Sequence, residues 1–243
     1  MQNCEIIDKV IETIGDNFYG TMCFNHTKVA RLIEEPLYEA NIPCDVHSGA
    51  SRVCIVLPNC DYVIKIPFTE YFNEYSYERL LEQFKKNGSN EPDENDFHYR
   101  FEWAYSNDLN LENSWDYCAY ECALYEEAHF CGLAQYFAAE EFYAEPNGYP
   151  IYIQQKATLK DDEDKVTKLS NEQITSTYKT CSHEGLTCFD DEWITIFIDT
   201  YGLNEFKKLS EFLDKFCIED LHSGNIGFLN GAPVLFDYAN YNE

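Results

Sequence analysis

This sequence predicts an α+β protein with a mostly antiparallel sheet, and three observations carry that prediction. Apolar residues recur at helical spacing in several separate stretches, while β-rich runs come in pairs joined by turn residues. The 243 residues, 45% of them hydrophobic and 16% aromatic, supply an ordered core rather than a disordered chain. The coarse order is two helices, three strands, a helix, two strands, two helices and two strands.

Taken in order, residues 5 to 15 place Ile6, Ile7, Val10, Ile11 and Ile14 on one helical face, and residues 28 to 39 do the same with Val29, Leu32, Ile33 and Leu37. A short strand in "CDVHSG" precedes "RVCIVLP" and "DYVIKIPF", which form an antiparallel hairpin across "NCD". Residues 69 to 112, rich in Tyr, Glu, Asn and Asp around "KKNGSNEPDEND", form an insertion containing a loop. A helix follows over 114 to 131. The runs "LAQYFAAEEFYAE" and "YPIYIQQKA" make a second strand pair across "PNG", and 158 to 190 is a polar insertion marked by "KDDEDK". Residues 192 to 201 and 203 to 216 are helical and are separated by Gly202. "NIGFL" and "PVLFDY" close the chain as a hairpin around "NGA".

The formal net charge of −27 sets this chain against phosphate backbones and anionic membranes, so no direct nucleic-acid binding and no membrane association are expected. It fits instead a solvated acidic surface, or a basic partner. The first residues lack a basic segment followed by an apolar run, and no stretch of about 18 apolar residues occurs, which predicts neither a signal peptide nor a membrane span. The eleven cysteines contain no CxxC pair and read as reduced thiols of a cytoplasmic protein.

The densest polar pattern lies in "CIEDLHSGNIGFLNGAPVLFDYANYNE", where Asp220, Asn225 and Asp237 are spaced five and then twelve residues apart around a hairpin. Two carboxylates and an amide so arranged can orient a hydroxyl and offer hard oxygen ligands to a magnesium ion on a nucleotide's phosphates. "DLHSGN" followed by "LFDYA" resembles the catalytic loop and metal-binding aspartate of the protein-kinase-like superfamily. The likeness is nearest to the aminoglycoside-phosphotransferase-like branch and to small kinase-like proteins of bacteriophages. The resemblance implies ATP and Mg²⁺ as cofactors, Asp220 as the catalytic carboxylate, and Asn225 and Asp237 as metal ligands.

Upstream residues extend the resemblance in the same order. Lys65, late in an otherwise apolar strand, matches the phosphate-binding lysine, and Glu121 matches the acid that pairs with it. Glu121 shares a helical face with Tyr117, Leu124, Tyr125 and Ala128, whereas Glu126 falls near the opposite side. The resemblance also implies that backbone groups from Gln154 to Lys156 meet the adenine. The turn "HSGASR" has a single glycine, so Ser48 and Ser51 are expected to supplement its phosphate contacts. Ile218 and Glu219 stand where the family's His and Arg precede the aspartate. The sequence ends six residues after Asp237, at Glu243, without an A-P-E element.

The fold expected from this likeness has two lobes. A helical extension over 1–43 leads into an N-lobe with an antiparallel sheet over 44–156, and a truncated helical C-lobe covers 157–243. Two functions of different class fit: an ATP-dependent phosphotransferase of unknown acceptor, or a catalytically inert kinase-like module whose acidity engages a basic host protein. The insertions, a second copy of the chain or a host protein would cover the acceptor side, and a phage-encoded chain would act in the host cytoplasm. Other patterns are weaker. Cys118, Cys122, His129 and Cys131 read as ordinary helix packing rather than a zinc site, and His222 as a structural loop residue rather than a general base. No HExxH, Walker or nucleophile-elbow pattern occurs.

Overall fold

A computed structural model of the chain describes residues 2–15, 26–49, 52–67, 117–159 and 191–239. Helices α1 (Gln2–Ile14) and α2 (His26–Glu39) precede strands β1 (Asp45–Ser48), β2 (Arg52–Val56) and β3 (Tyr62–Pro67). Helix α3 (Tyr117–Phe130) is followed by β4 (Glu140–Ala144) and β5 (Ile151–Gln155). Helices α4 (Asp191–Tyr201) and α5 (Leu203–Lys215) then lead to β6 (Ile226–Leu229) and β7 (Ala232–Leu235). The protein is therefore α+β, with an antiparallel five-stranded sheet ordered β1-β2-β3-β5-β4 and a separate two-stranded ribbon, β6-β7. Residues 69–112 and, apart from Thr158 and Leu159, residues 158–190, read as insertions, lie outside the described residues.

The chain divides into two compact units. One comprises Met1–Ala119 with Phe142–Ile153, and the other Tyr120–Glu141 with Gln154–Glu243. In the first unit the β2–β3 hairpin pairs Val53 with Ile66 and Ile55 with Ile64, and all four side chains are buried. Strand periodicity sends these residues to one face, where they meet Ile7, Val10 and Ile14 of α1 and Ile33 and Leu37 of α2. These five residues of the apolar stripes expected on the two helices thus belong to the sheet's own core. A hydrogen bond from the Tyr143 hydroxyl to Asp8 Oδ1 at 2.7 Å joins β4 to α1.

The second unit is built on an aromatic core. Trp193 and Phe197 of α4, and Phe206, Leu209, Phe212 and Leu213 of α5, surround Tyr136, Phe137 and Tyr238. The rings meet edge to face, Tyr136 with Tyr201 at 4.5 Å and Phe137 with Tyr238 at 5.0 Å between centroids. The Tyr201 hydroxyl lies 3.0 Å from both the Gln135 and the Pro233 carbonyl oxygens. Strand β4 begins later than the sequence suggests. Ala134–Tyr136 forms a 3-10 turn, and Ala138 N–H donates to Leu235 O at 2.8 Å. Burial of Tyr136 and Phe137 in the aromatic core overrides the strand pattern of "LAQYFAA".

The ribbon β6-β7 turns on Asn230 and Gly231, whose φ values of 53° and 82° are both left-handed. That is the backbone of a two-residue turn matched to the strand twist, which Asn-Gly adopts at low cost. Its register, Ile226 opposite Leu235, fixes which residues stand at the open end.

Candidate functional site

The open end of the ribbon carries the polar pattern. Helix α5 is left through Cys217, at φ 51°, and Ile218 N–H donates back to Leu213 O at 2.8 Å. Ile218, Leu221 and Ile226 are buried, so three apolar anchors pin the loop between helix and strand. Between the first two anchors Asp220 is left exposed, with His222 exposed just beyond Leu221.

Asn225 is the hub of this loop. Its side-chain Nδ2 donates to the Asp220 carbonyl at 2.7 Å and its own N–H to the His222 carbonyl at 2.9 Å. Its carbonyl accepts Phe236 N–H at 3.0 Å and Asp237 N–H at 3.5 Å. Because the amide nitrogen donates to Asp220 O, the side-chain oxygen is left as an acceptor or cation ligand. The main chain at Asp220 and at Asp237 is thereby tied to Asn225.

Glu121 secures the segment after Asp237 from the other side. The carboxylate is fully buried, and its Oε1 accepts the N–H groups of Tyr238 at 2.9 Å and Ala239 at 3.3 Å. The helical phase is the one expected: Glu121, Leu124 and Ala128 are buried while Glu126 is exposed. Buried charge is tolerable here because backbone donors face it. Burial, followed by the nearby Glu121 and Glu140 carboxylates, pushes the Tyr238 phenol well above its usual range. Its hydroxyl donates to Ala138 O at 3.1 Å.

Glu140 is a buried acid that no motif in the sequence marks. Its Oε2 accepts Gln154 Nε2 at 2.9 Å, so Gln154 is held by its side chain. Gln155 N–H donates to Ala139 O at 2.9 Å, and Lys156 is half-buried. Thr158 and Phe228 exchange two backbone hydrogen bonds of 2.8 Å, which seats this segment against β6. The only signal for Glu140 was its place directly after two alanines in "AAEEF".

In the first unit, Lys65 stands opposite Cys54 on the sheet face away from Ile64 and Ile66, yet it is only 3% exposed. Arg52 shares that face by the two-residue period and is 5% exposed, with Nη1 lying 3.8 Å from Cys118 Sγ. It too was missed, although an arginine opening the apolar run "RVCIV" was a visible signal. Two buried cations on one face of so acidic a chain are an unusual investment. Ser48 ends β1, and Ser51 lies outside the described residues. Of the residues read as helix packing, Cys118 is buried and Cys131 is exposed.

No protein-family model, no curated protein and no solved structure matches this chain.

Proposed function

We propose that this protein is an ATP- and Mg²⁺-dependent phosphotransferase with a protein-kinase-like, two-lobe fold, acting on a hydroxyl-bearing acceptor. The observation that carries the reading is Asn225, whose hydrogen bonds draw Asp220 and Asp237 to the open end of one ribbon. The donor set fits the cofactor: an amide oxygen and a carboxylate are hard ligands of the kind that magnesium takes. Bound Mg-ATP would supply the phosphoryl group and the charge compensation for its transfer.

The chain's own residues divide the remaining work. Asp220, exposed on its loop, orients the acceptor hydroxyl and takes its proton. Asn225 and Asp237 hold the ion. Lys65 serves the phosphates, with Ser48 and Ser51 near the turn. Glu121 keeps the segment beyond Asp237 in place. The backbone from Gln154 to Lys156 is the proposed adenine contact.

The test is thermal unfolding with and without nucleotide. Mg-ATP at about 100 times its dissociation constant stabilises the folded state by about 2.7 kcal/mol. Asp237→Asn removes the magnesium-dependent part of the shift and leaves the unliganded melting point near the native one. Transfer of labelled phosphate from ATP, lost in Lys65→Ala, checks turnover. Absence of any shift with native protein at millimolar Mg-ATP overturns the reading.

A second reading is favoured by the charge of −27 and by α2, where Glu34, Glu35, Tyr38 and Glu39 are all exposed. On this reading the kinase-like fold is an inert acidic module that binds a basic protein by complementary fields.

A further inference from the structure

The loop that carries Asp220 contains a second ordered side chain with no part in the division of work above. We propose that His222 is a positioning residue for Asp220: its ring, locked by Gly224, holds the Asp220 carboxylate through the proton on Nε2. This rests on the phosphotransferase reading and assigns to that site a residue that sets the orientation of its base.

Three observations converge. Gly224 N–H donates to His222 Nδ1 at 2.9 Å, so Nδ1 uses its lone pair as acceptor and the neutral ring carries its proton on Nε2. Nε2 lies 3.4 Å from Asp220 Oδ1, within range of a contact that tightens when a substrate is bound. The ring rests directly on Gly224. A Cβ there would stand 2.7 Å from Cε1 and 2.9 Å from Nδ1, closer than real contacts, so a larger residue at 224 would push the ring out of this position. The main chain is closed around the ring as well, by the bond from Asn225 N–H to His222 O at 2.9 Å.

The same geometry excludes the ring as the base. Nδ1 is occupied by the Gly224 amide, and Nε2 bears a proton rather than a lone pair, so neither nitrogen can take a proton from a hydroxyl. What the ring can do is donate to Asp220. An exposed aspartate samples several side-chain rotamers, and a donor fixed by its own backbone selects one of them. The arrangement is an acid, an imidazole and a glycine at positions 220, 222 and 224, each held by the next.

The experiment separates the two nitrogens. Asparagine reproduces the Nδ1 position and can still accept the Gly224 amide but cannot reach Asp220, whereas glutamine reproduces Nε2 and can. His222→Asn therefore lowers kcat for phosphate transfer by about ten- to a hundredfold, with KM for ATP unchanged. His222→Gln restores most of the loss. Independently of activity, long-range nitrogen–proton spectra of the native protein, assigned by difference from His222→Asn, show a ring protonated at Nε2. That proton's resonance moves in Asp220→Asn. A ring protonated at Nδ1, an Nε2 resonance unmoved in Asp220→Asn, or a kcat for His222→Asn equal to the native value overturns the proposal. A native protein that binds no Mg-ATP and transfers no phosphate overturns the parent reading, and the two spectral results then decide the His222–Asp220 contact alone.

Discussion

A carboxylate removed from water must be compensated, and the residue that shows this best is Glu121, with two backbone N–H groups on one oxygen. Truncation would strand both donors, each at about 1–3 kcal/mol, so Glu121→Ala lowers the urea midpoint markedly without altering the slope. Glu121→Gln keeps an acceptor in place and costs less. Glu126→Gln, on the exposed face, changes stability by no more than about 0.5 kcal/mol. Equal losses at 121 and 126 would refute the clamp. The helical phase that distinguishes these two acids was legible from the spacing of Leu124 and Ala128. The bonds to Tyr238 and Ala239 were not, because they join residues more than a hundred positions apart, and no local pattern encodes such a pairing.

At the scale of elements, the β6-β7 ribbon decides whether Asn225 and Asp237 stand together. Its turn depends on a left-handed residue at 231. Nothing lies within 4 Å of an added Cβ there, so Gly231→Ala imposes backbone strain without a clash. The expected cost is about 1 kcal/mol, read from denaturation midpoints, with Asn230→Gly close to neutral. A neutral Gly231→Ala would show that the turn does not constrain the ribbon. This hairpin was readable in advance because "NG" between β-rich runs states its own geometry. The stretch from Leu133 to Ala139 was not readable in the same way. Its alternation suits a strand, but Tyr136 and Phe137 gain more from the aromatic core, and the backbone forms a 3-10 turn instead. Arg52 and Glu140 were hidden for a similar reason: charged residues at strand starts are exposed by default, and only tertiary packing buries them.

For the molecule as a whole, two properties set how it responds to solution conditions. The first is a set of buried and half-buried phenols in the second unit. Burial raises Tyr136 to about 12 and pushes Tyr201 and Tyr238 upward. A phenol whose folded value lies above the ordinary 10 favours the folded state while protonated. That contribution is complete below pH 10 and is lost as pH climbs from 10 through 12. Urea midpoints should fall over that window, and less steeply in Tyr136→Phe; a flat profile up to pH 12 would contradict it. The second property is the charge of −27. If the acidic surface holds a basic protein, retention on an affinity column weakens as salt rises and the screening length drops to about 8 Å. Replacing Glu34, Glu35 and Glu39 by glutamine weakens it at low salt. Retention indifferent to both leaves the charge as a solubilising surface. Among the described residues no helix is long and apolar enough to cross a membrane.

The clamp of Glu121 on Tyr238 and Ala239 has a consequence for how this protein can change over generations. Both bonds go to main-chain amides, which nearly every amino acid supplies. Position 239 can therefore drift among residues small enough for its buried setting, and the letters after Asp237 can be respelled, without loss of the hold on that segment. The acceptor at 121 has no such latitude. A distant descendant of this chain would be traced more securely through a buried acid at that point of its helix than through the letters that follow its aspartate.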